Sequence, residues 1–198
     1  MKKLYVLLSI LVIPFSFACG QLTKIGGGLN WGTGFHYINQ TSGADLNLYR
    51  SPFAGIYLKA ILETKSPVQI SPSFAFFIPK NNSVPDIGTT SKSTKINEIM
   101  FDLNGHYVFF SPDYLKFYGL AGFDITLATI KGSDPTFSSG VDNALGINLG
   151  AGFSLKITDQ IDFNSEAKFI AGKYHQILIN AGVLVDFGLL KKDLNPKK

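Results

Sequence analysis

Apolar and polar residues alternate with a period of two along most of the sequence, in segments separated by turn-forming residues. The clearest segment runs from Leu145 to Ile157, where every second residue is apolar and the residues between are glycine, asparagine, serine or lysine. Pro72 interrupts the third segment and weakens its pattern. The alternation predicts eight β-strands, which cover residues 24–37, 54–63, 68–78, 98–109, 115–127, 145–157, 161–171 and 177–187.

One face of each predicted strand carries no charged side chain, whereas the opposite face carries glycine, asparagine and charged residues of both signs. The charged residues of the second faces include Lys59, Glu63, Asp102, Lys116, Asp124, Lys156, Asp162, Glu166, Lys168 and Asp186. The interior of an eight-stranded barrel is just wide enough for side chains, so the glycine-rich faces fit inside and eight apolar faces do not. The interior charges are then expected to form salt-bridged packing rather than an ion path.

The apolar faces are therefore expected to contact lipid, where a Lys or Arg at the bilayer midplane would cost about 2–4 kcal/mol. The sequence predicts an all-β fold: a single closed antiparallel up-and-down transmembrane β-barrel of about eight strands. A soluble barrel that binds lipid in its interior is the alternative, and it would place the apolar faces inside.

The predicted connections alternate between long and short. The long ones are 39–51, Lys80–Thr94 and Lys131–Val141, and the short ones are Thr64–Pro67, Ser111–Asp113 and Thr158–Gln160, with a short last connection near His175 as the exception. Outer-membrane barrels have long extracellular loops and short periplasmic turns, so both termini are expected in the periplasm. Aromatic residues near the strand ends are expected to form two interfacial girdles: Phe109, Phe117, Phe163 and Phe187 on the periplasmic side, and Phe35, Tyr37, Phe76 and Phe169 on the outer side.

The first 20 residues have the pattern of a cleavable signal peptide. Met1-Lys2-Lys3 precedes an apolar run, and Ala18 and Gly20 provide small residues at the cleavage site. The predicted organisation is a signal peptide at 1–20, a barrel at 21–188 and a short basic tail at 189–198. Lipidation of Cys19, the only cysteine of the chain, is an open alternative to its removal.

Three stretches of the mature chain are similar to the small outer-membrane β-barrel families of Gram-negative bacteria, especially the group labelled PorT-like. They are Gln21–Gly28, Leu145–Phe153 and the apolar last strand that ends at Phe187. The resemblance implies the barrel fold and an outer-membrane location, and some members of the group are associated with secretion or surface assembly. The extension from Gly188 to Lys198 departs from barrels that end on an aromatic residue.

Three histidines, His36, His106 and His175, are the candidate catalytic bases, because lipid A deacylases and acyltransferases share this architecture. None has a serine and an acid in a local arrangement that would define a hydrolase. The glycines at 26–28, 32 and 34 are not followed by a helix and are interpreted as room for facing side chains. The sequence predicts no catalytic, cofactor-binding or metal-binding residues.

The favoured function is therefore a non-enzymatic outer-membrane barrel with a structural, adhesion or surface-assembly role presented on its extracellular loops. Lys80–Thr94, rich in Asn, Ser, Thr and Lys, is the candidate contact loop. The expected partners are outer-membrane lipid, the barrel assembly machinery and a surface or secretion partner. Nucleic acid is excluded, because the formal net charge is only +4, and +2 without Lys2 and Lys3. A narrow pore, a lipid-modifying enzyme and a secreted lipid-binding barrel are the alternatives.

Overall fold

The computed structural model describes residues 21–34, 53–64, 67–84, 92–132 and 140–187. The predictions of a signal peptide at 1–20, of lipidation at Cys19 and of a basic tail at 189–198 lie outside the described residues. The same holds for Phe35, His36 and Tyr37.

The described part of the chain is almost entirely β-strand. Its strands are β1 (Gln21–Gly32), β2 (Ala54–Glu63), β3 (Val68–Phe77), β4 (Lys80–Val84), β5 (Lys92–Phe110), β6 (Leu115–Gly132), β7 (Gly140–Lys156), β8 (Ile161–Gly172) and β9 (Gln176–Asp186). No helix in the described ranges is long and apolar enough to cross a membrane.

These strands form one closed barrel. The sheet has the order β3-β2-β1-β9-β8-β7-β6-β5-β4, and β3 also pairs with β5. β3 and β4 pair with successive parts of β5 and so occupy one strand position of the barrel. The nine strands therefore fill eight strand positions, which we call staves. All neighbours are antiparallel, and closure depends on β1, which pairs with both β2 and β9. The predicted eight-stranded antiparallel barrel is confirmed.

The two ends of the barrel differ in their connections. The turn end has the short links Ser111–Tyr114 and Ile157–Gln160, together with the first residue of β1 and the last residue of β9. The loop end has the segments 33–53, 85–91 and 133–139 and the short turn Lys173–His175. The predicted alternation of long and short connections is therefore confirmed for the links that the structure describes.

Alternate residues of each strand face outward and inward, as the pattern predicted. In β7, Ile147 and Leu149 are 52% and 56% exposed, whereas Asn148 between them is 0% exposed. Asp102, Asn104 and His106 of β5 are likewise buried. The apolar faces form the outer surface of the barrel, and the polar faces form its lumen.

The predicted bounds of two loops are wrong, because strands extend into both. Lys80–Val84 forms β4 and pairs with Lys92–Ile96 of β5, within the predicted loop Lys80–Thr94. β6 continues to Gly132 and β7 begins at Gly140, within the predicted loop Lys131–Val141. These extensions are polar and lack the alternation that marks a lipid-facing strand. The 19 residues of β5 exceed the roughly 9–11 that cross a bilayer, so the hairpins project beyond the apolar belt.

Aromatic side chains line four neighbouring strands, β5 to β8, at the turn end. The ring centroids of Phe110 and Phe117 lie 6.1 Å apart, those of Phe117 and Phe153 6.1 Å, and those of Phe153 and Phe163 6.0 Å. A bulge between Val108 and Phe110 exposes both Phe109 and Phe110, so the girdle gains a ring that strict alternation would place inside. Among the residues predicted for the other girdle, Phe76 and Phe169 are exposed.

Pro72 lies inside β3 and interrupts one of its ladders. It pairs with Leu103 of β5, but the ladder to β2 passes from Lys59 opposite Ser73 to Leu62 opposite Ile70 with no pairs between. Proline has no backbone N–H to donate on that side. The strand survives because β5 provides a continuous partner on its other edge.

The interpretation that the glycines of β1 leave room for facing side chains is wrong at two positions. A Cβ atom at Gly26 would lie 1.8 Å from the carbonyl oxygen of Val183, and one at Gly28 would lie 2.1 Å from that of Ala181. Both positions are therefore closed by the backbone of β9, not reserved for facing side chains. Only at Gly32 does the interpretation hold, because a Cβ there would meet the side chains of Gln176 and Leu178.

Candidate functional site

The polar faces of all the staves meet in the lumen, and the centre of the lumen is a network around Glu166 of β8. Lys59 of β2 forms a close ion pair with the Glu166 carboxylate, and the two side chains are 0% and 1% exposed. Tyr118 of β6 donates a hydrogen bond of 2.8 Å to Glu166 Oε1 and accepts one of 2.6 Å from Asn164 Nδ2. The Glu166 carboxylate therefore has the Tyr118 hydroxyl as a second partner, and the Lys59 ammonium lies 5.9 Å from the centroid of the Tyr57 ring.

A second buried ion pair lies beside the first. Lys168 Nζ is 2.7 Å from Asp102 Oδ2, and Ser73 donates a hydrogen bond of 2.9 Å to the same oxygen. Asn148 donates to Asp102 Oδ1 and to Asn104 Oδ1, each at 2.9 Å. These contacts join β3, β5, β7 and β8 across the lumen. Lys59, Glu166, Lys168 and Asp102 therefore form the salt-bridged packing that the sequence predicted.

Small residues make room for this network. A Cβ atom at Gly152 would lie 2.7 Å from the Tyr118 hydroxyl oxygen and 2.7 Å from Cγ of Glu166. The position has no space for any side chain, because the central network occupies it. The expectation that the glycine-rich faces lie inside the barrel is confirmed at this position.

An apolar layer crosses the lumen on the loop side of the two ion pairs. Its members come from five strands and are buried together: Tyr57, Ala75, Phe77, Met100, Ile170 and Leu178. Phe77 and Met100 are completely buried. This layer and the two ion pairs place buried side chains from five strands across the lumen.

The turn side of the lumen is open and charged. Lys24 contacts both Asp162 and Asp186, and Lys116 Nζ is 3.5 Å from Glu63 Oε1. A cavity of about 250 Å³ lies between these groups and the Lys156–Asp159 turn. A narrower space of about 20 Å³, enough for about one water molecule, continues inward to His106 and Tyr118. We call this opening the vestibule. The hydrogen bond from Lys156 holds the pKa of Asp159 at its rim below the usual value.

The predicted catalytic candidates do not come together. His106 stacks on Tyr118 with centroids 4.5 Å apart, and its Nε2 lies 3.5 Å from Glu166 Oε1. Within the described ranges neither ring nitrogen of His106 has a hydrogen-bond partner, so no hydroxyl nucleophile is held against it. His175 is exposed in a loop-end turn, on the other side of the apolar layer, and His36 lies outside the described residues.

All ten charged residues assigned to the inner faces line the lumen or its vestibule. Lys156 is the most exposed of them, at the turn end. The alternation placed Glu98 on the inward face of the fourth predicted strand, and the structure buries it there. Sequence reasoning missed its partner Gln176, which precedes the eighth predicted strand. Nε2 of Gln176 lies 3.3 Å from Glu98 Oε1 on the loop side of the lumen. No group of three or more His, Cys, Asp or Glu side chains in the described ranges is placed to hold a metal ion.

No family model and no curated protein matches the sequence. Solved structures match in fold at low identity. The N-terminal β-barrel domain of Pseudomonas aeruginosa OprF is 16% identical with a TM-score of 0.58, over 85% of this chain and 99% of that one. Neisserial surface protein A is 15% identical with a TM-score of 0.55, over 83% and 97%.

Ail, the attachment invasion locus protein of Yersinia pestis, is 15% identical with a TM-score of 0.51, over 85% of this chain and 99% of that one. In these alignments almost the whole of each known barrel is matched, so the similarity covers the complete architecture and not a few strands. The chain therefore has the fold of the small eight-stranded outer-membrane β-barrels.

Proposed function

We propose that this chain is an integral outer-membrane β-barrel with both termini in the periplasm. It acts without catalysis, as a closed scaffold that presents its loop end to a partner at the cell surface. The observation that carries the proposal is the combination of an apolar outer belt with a lumen sealed by two buried ion pairs and an apolar layer. The resemblance to the PorT-like group is consistent with this role.

The outer surface supports a membrane location. Large apolar side chains are exposed on every stave, for example Leu29, Leu58, Phe101 and Phe123. A soluble protein rarely exposes a continuous apolar surface of this extent, whereas a bilayer covers it at no cost. A barrel that carried lipid inside would need the opposite arrangement, with the apolar side chains around a cavity.

The lumen disfavours a pore. The innermost part of the vestibule, beside His106, has a volume of only about 20 Å³. The buried Lys59–Glu166 and Lys168–Asp102 pairs lie beyond it. An ion would have to separate these pairs and then cross the layer that contains Phe77 and Met100. Opening such a path leaves a charge buried without its partner, which costs about 3–5 kcal/mol for each pair.

The loop end is the best place for a partner, because long connections on a rigid scaffold often carry binding residues. β5, β6 and β7 extend beyond the apolar belt at this end, so Val84 and Gly132, after which two of the long connections begin, lie at the ends of extended hairpins. The name of Ail associates a barrel of the same fold with attachment. We favour a contact role of this kind over transport.

The first experiment is the electrophoretic mobility of the protein from isolated outer membranes, boiled and unboiled in SDS. We expect a heat-dependent shift, because a closed barrel resists SDS until it is heated. Recovery in the soluble periplasmic fraction without a shift would overturn the membrane location and support the soluble lipid-binding alternative.

The second experiment is planar-bilayer conductance of the purified barrel. We expect no steady conductance steps. The matched control is a triple variant, Lys59→Ala/Phe77→Ala/Met100→Ala. It removes one charge of an ion pair and two side chains of the apolar layer. Regular conductance steps from the unmodified protein would show that it is a pore.

A further inference from the structure

The basic stretch at 188–198 takes no part in the function proposed above. It follows Phe187, the last described residue, and its one carboxylate is Asp193. Its lysines are Lys191, Lys192, Lys197 and Lys198. Lysines in such a stretch are usually solvated. Here, however, an opening of opposite charge lies beside the residue that precedes the stretch.

That opening is the vestibule, whose described side chains carry a surplus of negative charge. Its carboxylates are Glu63, Asp113, Asp159, Asp162 and Asp186, and its ammonium groups are Lys24, Lys116 and Lys156. Each ammonium group already has a carboxylate partner, and Lys24 is shared between Asp162 and Asp186. Counting Asp, Glu and Lys, five carboxylates face three ammonium groups, which leaves a formal surplus of two negative charges.

Asp113 is the carboxylate with the least compensation. Among the described residues it forms no ion pair and no side-chain hydrogen bond. Lys156 is within electrostatic range of Asp113, but its ammonium group is held 2.7 Å from Asp159 Oδ1. An additional ammonium group in the vestibule would therefore have a carboxylate to contact without displacing an existing pair.

The inner part of the vestibule also has unsatisfied polar groups. His106 and Asn164 line it and are each 1% exposed. Within the described ranges neither ring nitrogen of His106 has a hydrogen-bond partner, and Asn164 Oδ1 has no donor. Apart from one histidine N–H these atoms are acceptors, and an ammonium group supplies three donors and no acceptor. The unfilled positions of the vestibule therefore favour an ammonium group over an anion.

The last strand of the barrel ends at the rim of this opening. Asp186, the last residue of β9, lines the vestibule, and its backbone N–H donates a hydrogen bond of 2.8 Å to the carbonyl oxygen of Gln160. Lys191 and Lys192 follow Asp186 within six residues, which span at most roughly 20 Å of chain. Because the interior of an eight-stranded barrel is just wide enough for side chains, both lysines can reach across the opening.

We propose that the vestibule binds the basic stretch of its own chain, with Lys191 and Lys192 supplying the two positive charges that its carboxylates lack. Exposed ion pairs are individually weak. The covalent connection to Asp186 nevertheless keeps these ammonium groups at an effective concentration on the order of millimolar, an advantage that a free cationic ligand does not have. The bound stretch covers the turn-side entrance of the lumen. The inference rests on the charges of the turn end and not on the surface partner proposed at the loop end.

The first test is zero-length carbodiimide crosslinking of the purified barrel in a non-ionic detergent, followed by proteolysis and mass spectrometry. We expect amide links from Lys191 or Lys192 to Asp113 or Asp159 within one molecule. The exposed Lys156–Asp159 pair, at 2.7 Å, is the internal control for the reaction. Mixing ¹⁵N-labelled with unlabelled protein distinguishes links within a molecule from links between molecules. The same links are expected in vesicles that contain phosphatidylglycerol.

The second test measures access to the vestibule. Ser154 lines both of its parts, so Ser154→Cys places a thiol inside it. We expect its reaction with a maleimide to become roughly fivefold faster, or more, when Lys191→Glu/Lys192→Glu is added, because the entrance is then uncovered. Lys197→Glu/Lys198→Glu is the matched control, since it makes the same charge change farther from β9. It should leave the rate near that of Ser154→Cys alone.

Several results would overturn the proposal. One is the absence of links from Lys191 and Lys192 in a sample where the Lys156–Asp159 link forms, and this result needs no variant to fold. Links found only between molecules would assign the vestibule to a second copy of the chain. Links that disappear in phosphatidylglycerol vesicles would show that the lysines bind the bilayer surface instead. Equal maleimide rates for the two double-lysine variants would exclude a cover over the entrance.

Discussion

At the scale of single residues, we expect that replacing one member of the Lys59–Glu166 pair lowers the free energy of unfolding. Glu166→Leu leaves the Lys59 ammonium buried without its carboxylate and removes the acceptor of Tyr118. We expect the free energy of unfolding to fall by about 3–5 kcal/mol. Urea unfolding in lipid vesicles measures it, with fluorescence of Trp31, the only tryptophan of the chain and exposed on the outer face, as the signal.

The double variant Lys59→Met/Glu166→Leu is the control for that prediction. It removes both charges and should be more stable than Glu166→Leu alone, because two apolar side chains leave no buried charge. A double variant that is less stable than the single variant would show that the loss comes from packing and not from the uncompensated ammonium group.

Gly152 gives a second prediction at this scale. Gly152→Ala places a methyl group 2.7 Å from the Tyr118 hydroxyl and from the Glu166 side chain, and we expect a loss of about 1–3 kcal/mol. Gly119→Ala is the matched control in β6, because a Cβ atom there meets nothing within 4 Å. Its effect should stay within about 0.5 kcal/mol by the same unfolding measurement. Equal losses at both positions would contradict the packing explanation.

The residues of the lumen were largely predictable from the sequence, and their partners were not. Alternation placed Lys59, Asp102, Glu166 and Lys168 on inward faces, because a period of two assigns each residue to a side of the sheet. The pairing of Lys59 with Glu166 depends on the register of strands that lie far apart in sequence. No local pattern encodes that register.

At the scale of the strand, the depth of a position in the bilayer should determine how much a lysine placed there lowers the free energy of unfolding. Ile147 lies near the middle of β7 on the outer face, and Ile157 lies just beyond its end. We expect Ile147→Lys to cost about 2–4 kcal/mol and Ile157→Lys about 0–1 kcal/mol, measured by unfolding from vesicles. Similar costs at the two positions would argue against a bilayer around the middle of the strand.

The ends of the elements were the least predictable from the sequence. Lys80–Val84 and Lys92–Thr94 form a hairpin whose backbone hydrogen bonds need no apolar face, so alternation could not reveal it. The bulge beside Phe110 shifts the register by one residue and exposes two successive aromatic rings. Both features depend on backbone pairing. Apolar periodicity reveals such pairing only where one face of the strand contacts lipid.

At the scale of the whole molecule, orientation in the membrane is the main testable expectation. His175 is exposed at the loop end and Asp159 at the turn end. We expect His175→Cys, but not Asp159→Cys, to react with a membrane-impermeant maleimide on intact cells. Both should react once the cells are broken, and the parent protein, whose only cysteine is Cys19, is the background control. Labelling of Asp159→Cys alone on intact cells would invert the proposed orientation.

The pairing of β1 with β9 also determines when the molecule can be completed. Nine residue pairs, from Lys24 opposite Asp186 to Gly32 opposite Leu178, join the first and last strands of the barrel. Until the last strand has been synthesised and delivered, every partly assembled sheet has two open edges and an apolar surface, both of which promote aggregation. For the outer-membrane barrel proposed above, we therefore expect the precursor to stay unfolded until β9 is available, and a chain truncated before Gln176 to be degraded rather than inserted.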